Sequence, residues 1–446
     1  MAGRDEVPQG GRLPTLRIDR SLTRSIKLYR EDPLRWIGEA AGMGPIVAFR
    51  FGPVTPTYLL NDPDVARSIL ITDAQRWKRP PNTVAPIRLA IGENLFTQSE
   101  RHWSLLQPSL APDFRKRALE PRLAQVGALI EGEVAALPYD VEVDFDQAMG
   151  RIALIAATWV LFGEHLERSR ADELVSHQRA AVNWLDERIK SRQAFVPMAL
   201  GHEARRMRAH RAVTLAYADE IVAARRRCAP RGDVLDALLA ARPGGRAMSP
   251  AELSTHVAGL FGAGNETTAA ALCWTVVYGA ANPDEWTQLR DDSSTAPNFV
   301  AETLRLSPPA WGIPRSPTGA RGAELAAGPL RVHVWPMQMV AVNVFGMSRD
   351  ESVWPNASTF DPRRHRQLSK LQERALIPFG LGVRGCIGQH IALSELDAAL
   401  GALSRHGDVE VDGWPVGKPT FSLKVRGGLR GRFRRSQPER HTVAVV

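Results

Sequence analysis

The chain has very little cysteine: three residues in 446, at Cys228, Cys273 and Cys386. They are far apart and odd in number, which excludes a disulfide framework and a paired zinc spacing. A reducing cytoplasm is the simplest setting for such usage. The N-terminus also lacks an apolar run. Residues 1–11 are polar, so neither a signal peptide nor a membrane anchor is expected. No dinucleotide-binding unit of strand, glycine-rich turn and helix is read in the chain. His202-Glu203-Ala204-Arg205-Arg206 starts like a zinc-protease helix but has Arg206 where a second histidine is needed. Arginine clusters at 205–227 and 426–440 have no aromatic interleaving, so the net charge of +9 reads as solvated helix faces and a basic tail, with no nucleic-acid partner.

What the chain does have is a cysteine in an unusual setting. Phe379-Gly-Leu-Gly-Val-Arg-Gly-Cys-Ile-Gly-Gln-His390 places Cys386 among Gly380, Gly382, Gly385 and Gly388, beside Arg384. Glycines admit positive-φ turns and let a flat group approach the backbone. Ile391, Leu393, Leu396, Ala399, Leu400 and Leu403 then recur at helical spacing, so Cys386 precedes a helix N-terminus, whose dipole favours a thiolate. On these grounds alone, a buried cysteine beside a turn explains the stretch as well as a presented thiolate does.

A second element runs from Ser249 to Ala281. Ser249-Pro250-Ala251-Glu252 has the form of a capping box with proline at the first helical position, and Asn282-Pro283 ends the segment. About 32 residues at 1.5 Å each predict a helix of roughly 48 Å. It is mostly apolar, yet Gly262-Ala263-Gly264-Asn265-Glu266-Thr267-Thr268 interrupts it. Each glycine costs about 1 kcal/mol relative to alanine, and a buried carboxylate costs more unless bonded. A threonine hydroxyl bonding its own helix backbone would open a groove there.

Phe379, Gly382, Arg384, Cys386 and Gly388 match the haem-binding signature of the cytochrome P450 family, and Ala263 through Thr268 match its distal helix motif. The resemblance spans about residues 30 to 432. It implies a mainly α fold with a small β region, the cytochrome P450 fold. It also implies haem b with Cys386 as axial thiolate and metal ligand, and Glu266 and Thr267 as the acid-alcohol pair that delivers protons. Arg384 and Arg315 would meet the haem propionates, with Phe379, Gly388 and Ala263 against the cofactor. At 99–103 the pattern departs from the family: either His102 or the Trp103 indole donates to a propionate, or the tryptophan is buried and the histidine faces solvent. Glu302, Arg305 and Arg364 would form a structural network. Trp311, Gly312, Ile313, Val84 and Trp184 would line the substrate pocket, under an irregular loop at 77–94 and a lid at 180–205 that includes Phe195 and Met198.

The implied activity is hydroxylation or epoxidation of a small lipophilic or biosynthetic substrate with O2 by a monomer. Electrons would come from a separate ferredoxin or flavodoxin with its reductase, so that NAD(P)H acts only indirectly. Arg115, Lys116, Arg117 and Arg384 are the expected docking cations. The alternative is a non-catalytic haem sensor or carrier. The expected layout is a flexible arm at 1–20, one catalytic domain at 21–432 and a basic tail at 433–446.

Overall fold

The computed structural model describes residues 13–190 and 202–435. Its centre is the helix Pro250–Ala281 (the long helix), which starts and stops where the capping signals place it. Ser249 accepts from the Glu252 N–H, the Glu252 side chain bonds back to the Ser249 N–H, and Asn282 caps the end. The helix is buried on nearly every side because other helices surround it: Phe145–Phe162 and His202–Arg225 pack on it, as does Gln389–His406 from the cysteine side. Gly264 lets Phe145–Phe162 approach, since a Cβ there would sit 3.3 Å from the Ala157 methyl. Phe145–Phe162 is long and apolar enough to cross a membrane, but 78% of it is buried in this core.

Beside the helices lies a six-stranded sheet. Its order is Thr15–Arg17, Ile46–Arg50, Thr57–Leu60, Met339–Val342, Ile313–Pro317 and Trp77–Lys78. Ile46, Tyr58, Leu60, Val340 and Val342 fill its buried face. Thr15–Arg17 pairs in parallel with Ile46–Arg50, so residues 15–17 belong to the domain and not to a loose arm. At the other end, Arg430–Arg435 pairs with Gly407–Val411 and with Glu142–Asp144, so 433–435 are strand rather than tail.

Residues 77–94 also differ from expectation. Pro80 and Pro81 begin a helix, Pro81–Ile91, instead of preventing one, because a proline in the first turn lacks only an N–H that would have no partner there. Gly92, at φ +82°, ends it.

Candidate active site

The cysteine loop is built on a turn that needs glycine. Gly380 and Gly382 have φ of +68° and +69°, and a Cβ on Gly382 would strike the Leu70 carbonyl at 2.1 Å. No other residue type fits there. The turn aims Cys386 into a cavity of about 510 Å³. Its thiol is open to that cavity while the walls shield it from bulk water. Burial pushes the thiol pKa up, and the Gly388 N–H bonded to it pulls in the opposite direction. Phe379, Gly388 and Ile313 line the same space.

Facing it is the irregular part of the long helix: Ala263, Glu266 and Thr267 also line the cavity. The Thr267 hydroxyl donates to the Ala263 carbonyl at 2.9 Å, the expected bond to its own backbone. The Glu266 carboxylate accepts from Ser422 Oγ at 2.9 Å and from Lys424 Nζ at 2.8 Å. These partners were missed in the sequence. They stand two apart on an extended segment, Ser422-Leu423-Lys424-Val425, where alternation puts both on one face and Leu423 and Val425 on the other, so period-two reading could have found them. Glu266 also borders a second cavity of about 20 Å³ beside Asp146, Arg179 and Lys424. That space suffices for about one water.

Three arginines converge on one rim. Arg315 is buried, and its one side-chain bond among the described residues runs from Nη1 to the carbonyl of Pro314. Burial, with Arg79 nearby, pulls its pKa down to about 10. Arg384 is likewise pulled to about 10 by burial and Arg79, although it pairs with Glu100 and stacks 3.6 Å from the Trp103 ring centroid. Arg79, not singled out from the sequence, bonds the Phe96 and Gln98 carbonyls, and its Nε makes no hydrogen bond but lies 3.6 Å from Glu100 Oε1 as an ion pair. Three largely buried cations against one carboxylate leave positive charge in excess. That excess, the open cysteine and the glycine cradle fit a flat dianionic group such as haem.

Several expected residues stand elsewhere. His102 is exposed and turned toward Glu93, because it lies a quarter-turn from Trp103, which takes the cavity side with Gln107 one turn on. Trp311 donates its indole N–H to the Thr420 carbonyl at 2.9 Å, and the cavity wall uses Pro309, Ala310 and Ile313 rather than Trp311 or Gly312. Val84 stops a turn short of the wall, where Ile87, Ala90 and Ile91 take its place. Trp184 packs against Ala90, Leu185 and Met207 instead. Phe195 and Met198 lie outside the described residues.

Away from the cavity, Glu302 is a hub. Arg305 Nε and Nη2 reach it at 2.7 and 2.8 Å, Arg364 Nε at 2.9 Å, His365 Nε2 at 2.8 Å, and the Asp361 N–H at 3.0 Å. Burial alone would raise the Glu302 pKa, but the bonds from Arg305 and His365 outweigh it and hold it at about 2. His365 joins the expected trio, its neighbour Arg364 having pointed to the right turn.

The model describing the cytochrome P450 family matches residues 39–420. The chain belongs to the cytochrome P450 family. Among curated relatives, rat (Rattus norvegicus) Cytochrome P450 4F4 is 25% identical over 93% of this chain and 85% of its own. Putative cytochrome P450 137 of Mycobacterium tuberculosis is 32% identical over 47% of this P450 and 44% of its own length. The crystal structure of CYP175A1 from Thermus thermophilus superposes with a TM-score of 0.76 at 22% identity, covering 95% of this chain and all (100%) of that one. A six-coordinated P450 from another strain of the same organism gives 0.72 at 22% identity, over 91% and 99%. As a member of this family the chain is a haem monooxygenase, an oxidoreductase that uses O2.

Proposed function

We propose that this P450 binds haem b through Cys386, with Arg315, Arg384 and Arg79 neutralising the propionates and Phe379, Gly388 and Ala263 against its faces. The reading rests on one observation: an open cysteine and a carboxyl-hydroxyl pair face each other across a single apolar cavity with a cationic rim. Bound there, thiolate-ligated haem supplies the activation of O2 for insertion of one oxygen atom into the substrate. Thr267 and Glu266 hold the proton donors on the opposite wall. Lys424 bonds the Glu266 carboxylate and holds it beside the small second cavity, which has room for about one water. Leu95, Ala258, Leu260, Ile391 and Leu396 exclude bulk water and orient a lipophilic substrate for hydroxylation or epoxidation.

Electrons come from a separate ferredoxin or flavodoxin and its reductase, with NAD(P)H entering only through them. Arg115, Lys116 and Arg117 are exposed and supply the acidic partner's docking cations; Arg384 does not join them, because it points inward to Glu100. The deciding measurement is the absorption spectrum of the dithionite-reduced protein under carbon monoxide. A strongly red-shifted Soret band in wild type and its loss in Cys386→Ala support the assignment; a band at the imidazole-ligated position in wild type overturns it.

A further inference from the structure

Away from the cationic rim, the cavity contains one more arginine. Arg211, on His202–Arg225, lines the wall and is half-buried. Its Nε is buried without a partner, and among the described residues no acceptor or acid is bonded to it. Arg315 and Arg384 each have Arg79 and Glu100 close by, whereas only burial acts on Arg211, lowering its pKa.

Its position follows from Gly92. A Cβ there would lie 2.5 Å from an Arg211 Nη and 2.6 Å from the Thr255 methyl, so the guanidinium sits by Thr255 on the long helix. Thr255 and Glu266 are eleven residues apart on that helix, a rise of roughly 17 Å. The wall between them is largely apolar, with Ala258, Leu260 and Gly262 from the helix and Ile91 opposite. Beside Arg211, the His177 and His210 rings share a bond between their Nδ1 atoms at 2.9 Å and add polar edges, not negative charge, to this end of the cavity.

A half-buried cation with a buried, unpaired Nε and no counter-charge is costly unless something completes it. Building on the haem-monooxygenase reading, we infer that Arg211 anchors the carboxylate of a long-chain acid whose apolar body runs along the helix toward the Glu266–Thr267 end. A guanidinium pairs bidentately with a carboxylate, and the length of the apolar wall selects long chains over short ones. Such anchoring leaves the end remote from the acid nearest the reacting centre.

The test is isothermal titration calorimetry on the haem-loaded full chain with palmitate, its methyl ester and the matching alcohol. Wild type should bind palmitate more tightly than the other two. Arg211→Gln should weaken palmitate binding by about ten- to a hundredfold, the worth of one charge-assisted bond, and leave the ester and alcohol within about twofold. Arg211→Lys should recover part of the loss, and circular dichroism with the Soret spectrum checks that each variant is folded and loaded. Equal wild-type affinity for acid and alcohol, or an unchanged acid preference in Arg211→Gln, overturns the inference. Loss of the red-shifted carbon monoxide band would instead count against the haem-thiolate reading, so the two fail separately.

Discussion

Arg305 and Arg315 are buried arginines ten residues apart, and their surroundings are opposite. Arg305 bonds two Glu302 oxygens and the carbonyls of Ser348, Ala357 and Thr359, so every direction its fork points is answered by protein. Among the described residues Arg315 bonds only the adjacent Pro314 carbonyl. A saturated guanidinium is a piece of scaffold. An unsaturated one is half of an interaction whose other half arrives with a ligand.

Substitution should expose the difference most strongly at the hub. Arg305→Met leaves Glu302 buried without its main counter-ion, and such losses cost about 3–5 kcal/mol. The expected outcome is a large fall in urea midpoint or no soluble protein. A change below about 1 kcal/mol would show that the hub is not a keystone. For Arg315→Gln the expectation reverses: the haem-free protein keeps or slightly gains thermal stability, while haem transfer to a scavenger speeds up about tenfold, equivalent to ~1.4 kcal/mol. Equal destabilisation by both substitutions would erase the contrast.

A titratable member of the satisfied class sharpens the comparison further. His256 accepts from the Leu95 N–H at 3.2 Å, and burial lowers its pKa to about 4. The folded chain therefore resists protonation that the unfolded chain accepts near 6.5, so this contribution is present above pH 6.5 and is lost as pH falls toward 4. His256→Gln removes the titration. The stability of wild type relative to the variant should decline across that window in denaturant titrations. Asp397, pushed up to about 6 by burial, has the opposite slope and cancels in the difference. A flat difference would mean that His256 is not held neutral.

The smallest effect on stability belongs to the exposed cations. Reversing Arg115, Lys116 and Arg117 to glutamate should change folding by under about 1 kcal/mol while slowing reduction by an acidic partner and flattening its salt dependence. Unchanged reduction kinetics would remove that face from the docking surface.

The long helix, the cysteine loop and the pairing of Glu302 with Arg305 were legible because each depends on neighbours close in sequence: a capping box, a glycine spacing, an i,i+3 pair. Arg79, Lys424 and Arg211 were not. Each reaches the cavity or its Glu266 wall only through the fold, and an arginine or lysine reads by default as solvated. The helix at Pro81–Ile91 is hidden in the sequence because proline reads as a breaker, whereas Pro81 opens the helix and Pro86 is tolerated inside it. His102 and Trp103 were undecidable from spacing, since adjacent residues on a helix face different ways and only the packing says which one turns inward.

Glu266 stands on the long helix, yet Ser422 and Lys424, some 156 and 158 residues further along, hold its carboxylate. The hairpin of Gly417–Pro419 and Leu423–Val425 that carries them contributes little else to the cavity than Phe421. Recognition and acid placement are thus assigned to different stretches of chain. The wall can diverge to accept a new molecule without disturbing the carboxylate, and the hairpin can retune the carboxylate without changing what fits.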